Sequence, residues 1–133
     1  MKLAAIDVGL KRIGFAIALP GGIVVPQPAV LRRNRNQAAR DVRALLEQWH
    51  IDTLIVGIPQ GGSAEEEMRR RIEHFVSLLD LAIPVVYQDE AGSSLEAKGL
   101  MQASDIRQKR DGRIDSLAAK IILERYLQSR KAT

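Results

Sequence analysis

The order of apolar runs and helical segments predicts a single α/β domain, residues 1–133, built on a five-stranded mixed sheet with helices on both faces. Three observations predict it. KLAAIDV, IGFAIAL and IVVPQPAVL are short apolar runs joined only by the turns GLKR and PGG, which makes an antiparallel meander of three strands. TLIVGI and IPVVYQ are two further strands separated from it and from each other by helical stretches, the pattern of parallel crossovers. A chain of 133 residues with 46% hydrophobic content is long enough for one real core and too short for two ordinary domains.

The elements justify themselves in order. NRNQAARDVRALLEQWH reads as a helix with Asn34 or Asn36 as its N-cap and Ala39, Val42, Leu45, Leu46 and Trp49 at helical spacing. SAEEEMRRRIEHFVSLLDL opens with Ser63 in cap position and three glutamates that complement the helix dipole. Its inward stripe is predicted to be Met68, Ile72, Phe75, Val76 and Leu79. Ser93 or Ser94 is placed to cap a helix through SLEAKGLMQ. IDSLAAKIILERYL forms the last helix, with Ile114, Leu117, Ala118, Ile121, Ile122 and Tyr126 toward the core.

Composition excludes several classes. There is no cysteine, so disulfides and thiolate metal sites are out, and the absence fits a reducing cytoplasm. No apolar run approaches the roughly 18 residues of a membrane helix, and the N-terminus carries no targeting pattern, so the expected location is the cytoplasm. Net charge is +4, and because residues 1–104 balance, the whole excess falls in residues 105–133. A basic segment on a small domain is the footprint of a phosphate-rich partner, although surface lysines and arginines also serve merely as solvating charge.

The acids fall in a telling order. Asp7 ends the first strand, Asp89 and Glu90 end the last, and Asp115 lies near the start of the last helix. If the first and last strands run parallel, their carboxyl ends meet at one edge of the sheet, the usual place for a site. Carboxylates without cysteine suit hard Mg²⁺ or Mn²⁺ rather than zinc, and such ions beside a basic surface are the apparatus of phosphodiester cleavage. Each acid also has a plainer reading: a turn former, a solvated strand end, or a charge favoured by a helix dipole.

Four blocks, IDVGLKRIGFAIA, LIVGIPQGG, VVYQDEAGSS and GRIDSLAAKIIL, stand in an order and spacing that resembles the YqgF-type family of pre-16S rRNA nucleases, also described as Holliday junction resolvases. The resemblance spans nearly the whole chain. It implies a ribonuclease H-like fold and a metal-dependent nuclease, with Asp7, Glu90 and Asp115 as catalytic residues and ligands of Mg²⁺ or Mn²⁺. Gly9 would then leave room for a metal and a phosphate at the backbone. Lys11, Arg12, Ser93, Ser94, Lys109, Arg110 and Arg113 are the candidate nucleic-acid contacts. The implied partners are structured RNA or branched DNA, with ribosomal particles beyond them, and the protein would act as a monomer or homodimer.

One departure stands out. The family has arginine and then an apolar residue after its Asp-Glu pair, whereas this chain has Ala91 and Gly92, which removes a bidentate phosphate clamp. Lys11, Arg12, Lys109 and Arg110 are the cations available to replace it. His50 and His74 are set aside as helix-surface histidines, and Asp111 is at most an outer group behind Asp115. GIPQGGS lacks the lysine of a phosphate loop and is expected to shape a loop over the site. Two other functions fit parts of the sequence. DVGLKRIG also resembles the first phosphate motif of the sugar kinase, actin and heat-shock chaperone superfamily, whose nucleotide site needs two lobes. A nucleic-acid-binding or ribosome-associated module that keeps the fold with weak catalysis is the other alternative.

Overall fold

A computed structural model describes residues 1–59, 63–91 and 116–131. Strands β1 (Leu3–Val8), β2 (Arg12–Leu19) and β3 (Ile23–Leu31) are followed by helix α1 (Arg35–Gln48), strand β4 (Thr53–Ile58), helix α2 (Ser63–Leu79), strand β5 (Val85–Asp89) and helix α3 (Ser116–Lys131). They form one five-stranded sheet in the order β3-β2-β1-β4-β5. The meander β1-β2-β3 is antiparallel, while β1, β4 and β5 run parallel, as the sequence predicts. The predicted helix after Ser93 or Ser94, and Ile114, lie outside the described residues.

The period-two alternation of the strands divides the core into two layers. Ala4, Ile6, Phe15, Leu54 and Val56 face α1 and α2, where Val42, Leu46, Ile72, Phe75 and Leu79 cover them. Ala5, Ala16 and Ile55 face the other way, toward Ala119, Ile122 and Leu123 of α3. Small residues on this second face, Ala5 and Ala16 directly paired across β1 and β2, let α3 lie close to the sheet. β4 is buried along its whole length, as expected of a central strand covered on both faces.

Helix ends follow local chemistry. Of the two candidates, Asn34 is the cap of α1: its side chain accepts from the Gln37 N–H at 2.8 Å, and Gln37 reaches back to the Asn34 N–H at 3.3 Å. The helix closes with His50 in the left-handed region, φ +53°, and with the Ile51 N–H bonded to Leu46 O at 3.0 Å. His50 is thus an exposed helix-ending residue, and His74 is exposed on α2. Met68 does not join the core; it is 51% exposed, because the first turns of α2 overhang the sheet edge beside Leu10.

The meander carries an irregularity that fixes α3. Pairing between β2 and β3 slips between Ile13 and Phe15, opposite Pro28, which has no N–H to give the ladder. Next to the slip, the Phe15 N–H donates to the hydroxyl of Ser116 at 3.0 Å, and Ser116 is fully buried. The first residue of α3 is thereby pinned to β2 at the level where Gly14 pairs with Asp7. Ser116→Ala leaves that buried N–H without its acceptor and is expected to cost about 1–3 kcal/mol in urea unfolding, with an unchanged m-value.

Candidate active site

The carboxyl ends of β1, β4 and β5 lie at one edge of the sheet, and the register shows why two acids meet there. Ile6 pairs with Val56, and Gly57 pairs with Gln88, so Asp7, Gly57 and Gln88 fall at one level across three strands. Asp7 and Gly57 point to the α3 face, by alternation with Ile6 and Val56 on the other. Glu90 is two residues beyond Gln88 and returns to the same face; its N–H extends the ladder to Ile58 O at 3.1 Å.

β1 and β5 are two strand spacings apart, about 10 Å. Their side chains meet only because β4 places no side chain between them. A Cβ added at Gly57 would lie 2.9 Å from Glu90 Oε2 and would overlap Ile122 Cδ1. Gly57 therefore belongs to β4 and to the floor of the site, while residues 60–62 of the GIPQGGS segment, expected to shape a loop over the site, lie outside the described residues. The signal in the sequence was a glycine inside an otherwise apolar strand, which marks a close approach. Gly57→Ala is expected to lower stability by about 1–3 kcal/mol. Ile122→Val, which shortens the side chain in the way, recovers part of it; calorimetric unfolding of both variants and the pair tests this.

The carboxyls of Glu90 and Asp7 lie within hydrogen-bond reach of one another, a contact that forms when one of the two is protonated. Burial first, then the charge of Asp7 and its hydrogen bond, then the charge of Asp89, push Glu90 up from an ordinary 4.5 to about 7. Asp89 itself turns away into local structure, where its Oδ1 accepts from the Ala91 N–H at 2.9 Å. Ala91 is exposed, so no guanidinium follows Glu90 in the chain. Arg125 of α3, which sequence reasoning did not single out, reaches this strand end instead and donates to Asp89 O at 3.3 Å.

Gly9 has a structural role in the β1–β2 turn. Its N–H donates to Arg12 O at 3.0 Å, and a Cβ there would sit 2.5 Å from that oxygen, so the tight turn requires glycine. Lys11 and Arg12 are exposed on this turn, at the same edge as Asp7. Asp115, Asp111, Ser93, Ser94, Lys109, Arg110 and Arg113 lie outside the described residues. Among the described residues, no group of three His, Cys, Asp or Glu side chains is placed to hold a metal ion; the described acids supply two.

Those two donors fit a hard divalent cation. All four oxygens are carboxylate, and a cation bound between the two half-buried carboxyls would relieve the repulsion that raises Glu90. In the metal-free protein the sign of the pH effect is fixed. Folded Glu90 holds its proton up to about 7, whereas the unfolded side chain releases it near 4.5. Its contribution to stability is present below 4.5 and is lost as pH rises through 7. Thermal unfolding in chelator is expected to show this decline between pH 4.5 and 7.5, and Glu90→Gln flattens it.

A mixed five-stranded sheet with paired acids at the carboxyl ends of its parallel strands defines the ribonuclease H-like class of nuclease folds. Solved structures agree on the fold. RuvC of Thermus thermophilus, in complex with a Holliday junction substrate, superposes with a TM-score of 0.58 at 14% identity, covering 98% of this chain and 96% of that one. The fowlpox virus Holliday junction resolvase gives 0.55 at 14% identity, covering 97% and 99%. The family model described as "RuvX: Holliday junction resolvase" matches residues 1–129, and the chain belongs to that family of nucleases. A relative from Sulfurovum sp. (strain NBC37-1), named "Putative pre-16S rRNA nuclease", is 69% identical over 127 residues, 96% of this chain and 98% of its own length. Another of the same name, from Helicobacter pylori (strain P12), is 47% identical over 130 residues.

Proposed function

We propose that this protein is a metal-dependent endonuclease that hydrolyses phosphodiester bonds, with processing of the 5′ end of pre-16S rRNA in the cytoplasm as its main task and Holliday junction cleavage as a second. The observation that carries the reading is the pair of carboxyls, Asp7 and Glu90, brought together over Gly57 at the sheet edge. Asp115 is the third acid of the proposal. In the sequence it directly precedes Ser116, whose hydroxyl accepts from the Phe15 N–H of β2 beside the partner of Asp7. A Mg²⁺ or Mn²⁺ held by these carboxylates would supply activated water and a counter-charge for the leaving oxygen.

The chain's own residues define the remaining roles. Asp7 and Glu90 would be held ionised by the cation and would orient it from two strands fixed by the ladder. Lys11 and Arg12 on the turn beside Asp7 are placed to meet flanking phosphates, with Lys109, Arg110, Arg113, Ser93 and Ser94 proposed as further contacts. The absence of arginine at position 91 means that phosphate charge must be met from other elements, and the names of the relatives support the rRNA substrate. A ribosomal precursor particle is the partner that presents such an RNA, and the domain acts on it as a monomer; a symmetrically cut junction would call for a homodimer.

Asp7→Asn tests the assignment. Cleavage of structured RNA and of four-way DNA junctions in Mg²⁺ or Mn²⁺ is expected to fall to background, while the melting temperature in chelator holds or rises because the like-charge pair is gone. Near-normal cleavage by this variant overturns the reading. So does a wild type that binds these substrates and cleaves neither, which would make the domain a binding module.

A further inference from the structure

On the face of the sheet opposite Glu90, directly beside the end of β1, lies a groove of about 380 Å³. This is within the range of roughly 300–1,000 Å³ typical of ligand sites. Val8 and Phe75 form its floor, and Arg35, Arg71 and His74 stand on its rim. Arg32 closes the back as a fixed cation: its Nη1 donates to Gly9 O at 2.9 Å and its guanidinium lies over the Phe75 ring, 5.4 Å from the centroid. Two apolar side chains at the mouth have no core to enter, Leu10 at 74% and Met68 at 51% exposure.

The charges here are poorly used by the fold. Arg35 is the first residue of α1, whose first turn has no acid, so a cation sits where the helix dipole favours an anion. Arg71 has a solvent-exposed partner on its own helix, Glu67 at 2.9 Å, an arrangement worth little and easily exchanged. An apolar floor under a cationic rim matches a nucleotide, with its flat base and charged phosphates. A base inside a duplex is stacked and cannot enter, whereas an unpaired one can. The Arg32 N–H also donates to Lys11 O at 2.9 Å, so the rim continues into the turn that flanks Asp7.

We propose that this groove seats an unpaired nucleotide of the strand flanking the cleavage point, with its base against Leu10, Met68 and the half-buried Val8 and its phosphates on Arg35 and Arg71. The proposal rests on the nuclease reading and deepens it: the substrate would be nucleic acid with a single-stranded segment next to the scissile phosphate. The strand would cross from the carboxyl pair, over the β1–β2 turn, to the α1/α2 side of the sheet.

The test uses the full chain in chelator, with labelled single-stranded RNA and DNA of about 12 nucleotides and a duplex of equal length. The wild type is expected to prefer the single strands. Arg35→Glu with Arg71→Glu is expected to weaken that binding about tenfold or more, and to make the slope of log K against log salt shallower by about 1.4 for two lost phosphate contacts. Met68→Ser is expected to weaken binding severalfold with the slope unchanged, as loss of a base contact requires. All three positions are exposed, and melting curves that overlay the wild type establish folding; the milder Arg35→Gln with Arg71→Gln must move binding in the same direction. Unchanged affinity in these variants, or equal affinity for duplex, overturns the groove. Cleavage assays in Mn²⁺ separate the two claims. Wild-type cleavage with unaltered binding by the groove variants sinks the groove alone, and groove-dependent binding without any cleavage sinks the nuclease reading alone.

Discussion

The repulsion between two carboxyls, held in contact by the fold, is the interaction on which the rest of the site depends. Asp7 and Glu90 belong to strands that do not touch, and the only route between them passes over the bare backbone of Gly57. The protein spends stability to keep them there, since Glu90 must hold a proton up to about 7 when no cation is present. A pair so arranged is primed for a ligand of opposite charge. The surrounding structure serves this geometry: the parallel register of β1, β4 and β5 sets the level, and Ile122 fills the space that a side chain at position 57 would need.

The two faces of the sheet carry different chemistry at this edge. The α3 face holds the carboxyl pair, and Ser116 ties the start of that helix to the strand next to Asp7. The α1/α2 face gathers arginines around Val8 and Phe75. Because consecutive residues of a strand point to opposite faces, Asp7 and Val8 belong to the two surfaces with only one peptide between them. A single strand end thus puts the carboxyl pair and the arginine-rimmed groove on opposite faces.

Much of the fold was legible because its signals are local. Alternating apolar runs with Pro and Gly turns gave the meander, and the amphipathic stripe of Ile72, Phe75 and Leu79 gave α2. Met68 continues that stripe in sequence and still lies outside the core, because spacing reports a helix face and not how far the sheet beneath it extends. The pairing of Asp7 with Glu90 was legible from strand order. The roles of Gly57 and Gly9 were not, because a glycine's motif position does not say which atom would collide with a side chain there. Ser116 and Arg125 were missed for a similar reason: their partners, the Phe15 N–H and Asp89 O, are backbone groups exposed by a ladder slip and a strand end.

The two acids also lie far apart along the chain, one on the first strand and one just past the last. During synthesis, β1 and β2 can pair early, yet Asp7 gains its neighbour only after β4 has inserted between β1 and β5. Contacts of such long sequence separation form late and cooperatively. A fragment ending at β4 carries one acid and no site, and so does a truncated or partly unfolded chain. Any activity that depends on the two acids together comes into being only with the finished fold.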